Sequence, residues 1–157
     1  MAEHFVSSIK KGNQGEQLVV DLFEMHGYKC EKNKENKSLY DYLVTKRDKQ
    51  YKLEVKSDFY ASKSGNICFE FYNPKTNKAS GVTVTEADFW VHLLFNPTKI
   101  LICKTTTLHS FLDSVPPLKK IKKAGDGNSA LLLYTIDTVL TTFDDITQID
   151  NLDKVLK

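Results

Sequence analysis

Short runs with an apolar residue at every second position recur along this chain, and they limit the folds open to it. In YKLEVKSDF (residues 51–59), Leu53 and Val55 alternate with Lys52, Glu54 and Lys56. Successive side chains of an extended strand point to opposite faces, so this run has one apolar face and one polar face. YDYLVTK (40–46), NICFEFYN (66–73), FWVHLLF (89–95), KILICKT (99–105) and ALLLYTI (130–136) are further strand-length runs rich in β-branched and aromatic residues. A turn at residues 47–50 joins the first pair as a hairpin, and Asn96-Pro97 joins a second pair, 89–95 with 99–105.

Helical patterns lie between these strands. Residues 12–27 carry Leu18, Val19, Leu22 and Phe23 on one stripe, with Gly27 as a stop. The spacing Thr83 to Glu86 fits a capping box for a short helical turn. Residues 107–115 form a helix halted by Pro116-Pro117, and Asp137 is placed to cap a closing helix. KNKENKS (32–38) and the lysine-rich LKKIKKAGDGNS (118–129) read as loops, and 74–81 as a polar connection. The order predicts an α/β protein, a mixed central β-sheet flanked by helices. With 157 residues, no repeat and no low-complexity linker, one domain covering residues 1–157 is expected.

Composition excludes several classes. A chain that is 41% hydrophobic and 27% charged is globular rather than disordered. No run reaches the roughly 18 apolar residues of a membrane helix, and the N-terminus lacks an apolar signal core, so a cytoplasmic protein with no membrane partner is expected. Cys30, Cys68 and Cys103 are odd in number and lack a CxxC pair, which favours reduced thiols over a disulfide framework or zinc site. No P-loop, Rossmann fingerprint or Ser-His-Asp order is present, so no organic cofactor is expected. His4, His26, His92 and His109 show no metal spacing and read as incidental. The net charge is only +2, but residues 29–63 hold 10 Lys/Arg against 6 Asp/Glu, and residues 137–157 hold 5 Asp against 2 Lys. That asymmetry favours one face built for an anion.

The polar face of YKLEVKS is the candidate site. Glu54 and Lys56 project from one face about 6–7 Å apart. Alone they would read as a solvated charge pair. Asp41, however, stands between Tyr40 and Tyr42 in an apolar run, where a lone acid is costly. The hairpin brings it toward Glu54, and two converging carboxylates suit Mg²⁺ or Mn²⁺. Glu16 is a third acid, leaning toward the packed side of its helix. The plainer readings are a turn acid for Asp41 and a first-turn helix acid for Glu16.

Glu16, Asp41 and Glu54-Val55-Lys56, in that order, resemble the motif of the PD-(D/E)XK nuclease superfamily. Tyr40 stands where that motif often has proline. GNICFEF, Ser80-Gly81 and the run TEADFW (85–90) resemble the stretch that follows the motif in phage and archaeal Holliday-junction-resolvase-like members. The resemblance implies a restriction-endonuclease-like core and hydrolysis of DNA phosphodiesters. In it, Asp41, Glu54 and the main-chain carbonyl of Val55 ligate Mg²⁺, with Mn²⁺ able to substitute. Lys56 positions or activates the attacking water, and Glu16 holds a water or a second ion. It further implies branched or junction DNA as substrate, 5′-phosphate and 3′-hydroxyl ends, and a homodimer making paired cuts in a bacterial, archaeal or phage-infected cell. A repair- or restriction-like duplex endonuclease, or a non-catalytic DNA-binding module, fits the same residues.

Other residues carry two readings each. Glu70 extends the site from a strand beside that of Glu54, or points outward from an edge. Asp88 is a structural hydrogen-bonding acid in preference to a ligand, and Trp90 is core. Lys63, Lys75, Lys78, Lys119, Lys120, Lys122 and Lys123 are phosphate contacts or solubilising charges, the last four in a loop free to close over a duplex.

Overall fold

The computed structural model describes residues 2–35, 39–124, 127 and 129–157, with side chains from residue 12 onward. Its first element is helix α1 (Ala2–Met25), followed by strands β1 (Lys29–Lys32), β2 (Tyr42–Lys46) and β3 (Lys49–Asp58). Short helix α2 (Ala61–Ser64), β4 (Asn66–Asn73), β5 (Lys78–Ala79) and a 3₁₀ turn (Gly81–Thr83) lead to β6 (Phe89–Leu94) and β7 (Lys99–Lys104). Helix α3 (Thr105–Ser114), β8 (Lys119–Ala124), β9 (Ser129–Thr135), α4 (Ile136–Leu140), β10 (Asp144–Asp145) and a last 3₁₀ turn (Leu152–Lys154) complete the chain.

The central sheet is mixed and six-stranded, in the order β1-β2-β3-β6-β7-β10. Only β3 and β6 run parallel; the other neighbours are antiparallel. Every residue of β6 is buried, because its two faces meet two different cores. Phe89, Val91 and Leu93 pack with Leu53, Val55 and the α1 residues Val19, Leu22 and Phe23. Trp90 and Leu94 pack with Ile67, Phe69, Leu108, Phe111 and Tyr134, from α3 and a second sheet. That second sheet is four-stranded and antiparallel, in the order β5-β4-β9-β8. The expected architecture, a mixed sheet flanked by helices, is therefore present, but NICFEFYN and ALLLYTI lie outside the central sheet.

Several local expectations are corrected. Helix α1 starts well before residue 12, and Leu18 is 40% exposed. The buried stripe is instead Gly15, Val19, Leu22 and Phe23, at i, i+4, i+7 and i+8. The lysine-rich segment is strand β8, paired with β9, rather than a loop; its residues 125, 126 and 128 lie outside the described residues. Residues 36–38 of the earlier lysine-rich loop also lie outside them, and Lys32 belongs to β1. The helical turn foreseen at residues 83–86 sits at Gly81–Thr83, and α3 begins at Thr105. Asp137 is not the cap of α4. Thr135 is, its hydroxyl accepting from the Thr138 N–H.

The acidic final segment is a strap on the central sheet. Leu152 and Leu156 are buried in the α1-side core. Asp153 accepts from Tyr28 Oη at 2.6 Å and pairs with Lys46 at 2.9 Å, and Tyr51 Oη donates to the Leu156 carbonyl at 2.7 Å. These partners hold Asp153 below the usual carboxylate range. The three cysteines are free thiols, and burial pushes Cys30 up to about 11 and Cys103 up to about 12. Among the described residues no helix is long and apolar enough to cross a membrane.

Candidate active site

The β2–β3 hairpin closes on a two-residue turn, with Lys46 opposite Lys49 and Tyr42 opposite Leu53. Asp41 stands just before β2, and its backbone is held on both sides. Its N–H donates to Leu53 O and its carbonyl accepts from Asn33 N, each at 2.8 Å. Its carboxylate then turns onto β3, where Oδ2 accepts from the Val55 N–H at 2.8 Å. Leu53 and Val55 enter the core on the α1 side, so Glu54 and Lys56 project from the opposite face of β3. There they lie in register with Trp90 and His92 of β6.

Lys56 Nζ is 3.3 Å from Glu54 Oε1, with 14% of the glutamate side chain exposed and 43% of the lysine. Burial raises the Glu54 carboxyl above its ordinary value. Lys56 opposes that rise, while Asp41 and Glu16 add to it. Asp41 is also raised by burial, against the pull of the Val55 N–H and of Lys56, and again with a repulsive contribution from Glu16. Asp41, Glu54, Glu16 and Lys56 thus sense one another in one partly dry neighbourhood.

Glu16 comes from the helix side. Its Oε2 accepts from Tyr42 Oη at 3.1 Å and from Lys32 Nζ at 3.3 Å. The preceding residue, Gly15, is buried where α1 crosses β3, and a Cβ there would collide with Ser57 Oγ. Glycine at that point lets the helix approach closely enough for Glu16 to join the group.

Among the described residues, no three His, Cys, Asp or Glu side chains are drawn together as a ready metal cage. The carboxylates that could meet a cation are Asp41 and Glu54, since Glu16 is already committed to Tyr42 and Lys32. That set fits a hard divalent cation. Its donors are carboxylate oxygens, both raised by burial, with Glu16 adding to the rise at each and Asp41 to that at Glu54, and a nearby positive charge offsets such a rise. Mg²⁺ keeps several waters and needs few protein ligands.

The remaining expected residues are dispersed. Glu70 is corrected: β4 pairs with β5 and β9, not with β3, and the Glu70 carboxylate accepts a hydrogen bond from the Ser129 hydroxyl. Lys63 ends α2, Lys75 follows β4 and Lys78 lies in β5, at one edge of the second sheet. Lys119, Lys120, Lys122 and Lys123 line β8 at the other edge, and all seven lysines are exposed. Asp88 is structural, as expected, its Oδ2 accepting from Lys52 N at 2.8 Å. Trp90 is core at 1% exposure.

His92, without metal or triad spacing in the sequence, has a structural place in the fold. It is 2% exposed and hydrogen-bonded on both ring nitrogens, to Trp90 and to Asp58. The available signal was a lone polar residue inside the apolar run FWVHLLF. Tyr42 and Lys32, the partners of Glu16, carried no sequence signal, because their meeting depends on how α1 lies across the hairpin.

No protein-family model matches this sequence, and no curated protein matches it. Among solved structures, the chain is similar to a bacterial homing endonuclease, I-Ssp6803I. The TM-score is 0.57 at 18% identity, over 83% of this chain and 80% of that one. At such identity the likeness is one of fold: this mixed sheet with its flanking helices is a framework that an endonuclease also uses.

Proposed function

We propose that this protein is a divalent-metal-dependent DNA endonuclease of the PD-(D/E)XK type. The observation that carries the reading is the pairing of two half-buried carboxylates, Asp41 and Glu54, with the Lys56 amine 3.3 Å from one of them. Carboxylates alone repel a phosphodiester. Asp41, Glu54 and the Val55 carbonyl would hold a cation that would supply Lewis acidity and cancel that repulsion. Mg²⁺ is the expected ion, with Mn²⁺ as a substitute. Lys56 would orient the attacking water, whose proton passes to solvent while the leaving O3′ takes one from solvent. The water oxygen bonds to phosphorus as the bond to O3′ breaks, leaving a 5′-phosphate and a 3′-hydroxyl. Glu16, through Lys32 and Tyr42, holds the helix side of the site and the water in front of it.

The resolvase-like stretch favours branched DNA, cut in pairs by a homodimer. The fold likeness to a homing endonuclease supports a second reading, cleavage of continuous duplex. Labelled linear, nicked, flapped and four-way DNA, incubated with Mg²⁺, separates them by which substrate is cut fastest. Asp41→Ala and Lys56→Ala are expected to lower the rate at least about 100-fold. If the wild type cuts none of these substrates, or Asp41→Ala matches it, the endonuclease reading is wrong and a binding module is left.

A further inference from the structure

Behind Lys56 lies a chain of three polar side chains that the chemistry above does not use. Trp90 Nε1 donates to His92 Nδ1 at 3.2 Å, and His92 Nε2 lies 3.1 Å from Asp58 Oδ2. Trp90 and His92 are 1% and 2% exposed, and only 10% of the Asp58 side chain reaches solvent. Burying three such groups is costly unless each bond is made. The direction of the chain follows from donor inventory. An indole only donates, so His92 Nδ1 must be the bare acceptor and Nε2 must carry the proton given to Asp58. The second Asp58 oxygen accepts from the N–H groups of Tyr60 at 3.2 Å and Ala61 at 3.1 Å. Phe69 covers the imidazole, with ring centroids 5.5 Å apart.

The Trp90 ring, buried in the core, borders the site through Lys56. Lys56 Nζ sits 5.9 Å from the indole centroid, within reach of a cation–π contact. Lysine has a flexible stem, and its other hold is Glu54 at 3.3 Å. When Glu54 serves a cation, that ion pair loosens and the indole face becomes the remaining restraint on the amine. Core packing holds the indole in its pocket, and the bond to His92 fixes the tilt of the ring within that packing.

We propose that Asp58, His92 and Trp90 are positioning residues for Lys56: the hydrogen-bonded chain fixes the indole plane, and the plane fixes the amine beside Glu54. The catalytic consequence rests on the endonuclease reading; the placement of Lys56 does not. The ring over which Lys56 Nζ lies is that of Trp90, which is the expected source of the signal. In NMR spectra of the whole protein, the Lys56 ε-methylene is expected to be shifted upfield by the Trp90 ring, and His92 to carry its proton on Nε2. His92→Leu should collapse the Lys56 shift, and His92→Gln, whose amide both accepts and donates, should restore it. In cleavage assays His92→Leu should lower kcat about tenfold with KM unchanged, and His92→Gln should recover most of it. A proton on Nδ1, or an unchanged Lys56 shift or kcat in His92→Leu, overturns the proposal. Should His92→Leu not fold, Asp58→Asn makes the cut at the far end of the chain, setting an amide N–H against His92 Nε2–H while leaving the indole in place, and an unchanged Lys56 shift there overturns the proposal. A wild type that cuts no DNA sinks the endonuclease reading alone, and the Lys56 resonance still decides the positioning chain.

Discussion

Asp41 and Glu54 carry a liability in the absence of a cation. Burial raises both carboxyls above their ordinary values. Between the unfolded and folded pKa values, the folded chain therefore binds more protons than the unfolded one. The stability of the metal-free protein must then fall as pH rises through that window, and it is regained in acid. Asp41→Asn keeps an acceptor for the Val55 N–H and removes the charge. In chelator at neutral pH it should melt above the wild type, by about 2–4 °C for each 1 kcal/mol relieved, and the gain should vanish in acid. Calorimetry should show Mn²⁺ binding to the wild type, weakening in acid and abolished by this variant. A wild type that melts higher than Asp41→Asn in chelator would mean that the Lys56 and Val55 contacts outweigh desolvation. The shared face of Glu54 and Lys56 was readable from period-two spacing, and the nearness of Asp41 from the hairpin, because both follow from local strand geometry. Tyr42, Lys32 and Asp58 were not, since each acts through a partner far away in the chain.

Among the secondary-structure elements, α1 and β8 show what local patterning can and cannot decide. The stripe on α1 was correct at Val19, Leu22 and Phe23 but included Leu18. The fourth position belongs to Gly15, whose role is to bring the backbone close, a role hydropathy does not register. Gly15→Val should push α1 off β3 and lower stability by about 1–3 kcal/mol in urea unfolding. It should also weaken metal binding by displacing Glu16. Pairing it with Ser57→Gly should recover part of the loss, a coupling that independent sites would not show. Strand β8 was missed because KKIKKA has only Ile121 and Ala124 as apolar residues, three apart, and no alternation. Its extended form comes from backbone pairing with β9, which no side-chain pattern encodes. Lysines suit such an edge because they discourage pairing with another chain.

Across the molecule, the site and the lysines of the second sheet lie apart. The site lies on β3 of the central sheet, whereas Lys78 in β5 and Lys119, Lys120, Lys122 and Lys123 in β8 lie at the two edges of the second sheet. The lysines are thus a candidate surface for DNA running beyond the site, rather than part of the chemistry. Replacing Lys119, Lys120, Lys122 and Lys123 with alanine should weaken DNA binding and flatten its salt dependence by about one unit of slope per lost phosphate contact. The metal affinity of the site should stay the same. If the slope is unchanged and the variant aggregates, these lysines serve only as edge protection.

The amino-acid order determined the strand runs, the β2–β3 and β6–β7 hairpins, and the face shared by Glu54 and Lys56, because these follow from bond geometry over a few residues. Only the tertiary structure decided that NICFEFYN leaves the central sheet, that Glu70 turns to Ser129, and that His92 joins Trp90 to Asp58. Those outcomes depend on which apolar faces bury each other across long stretches of chain. That choice is made by the whole set of contacts at once, and no local pattern carries it.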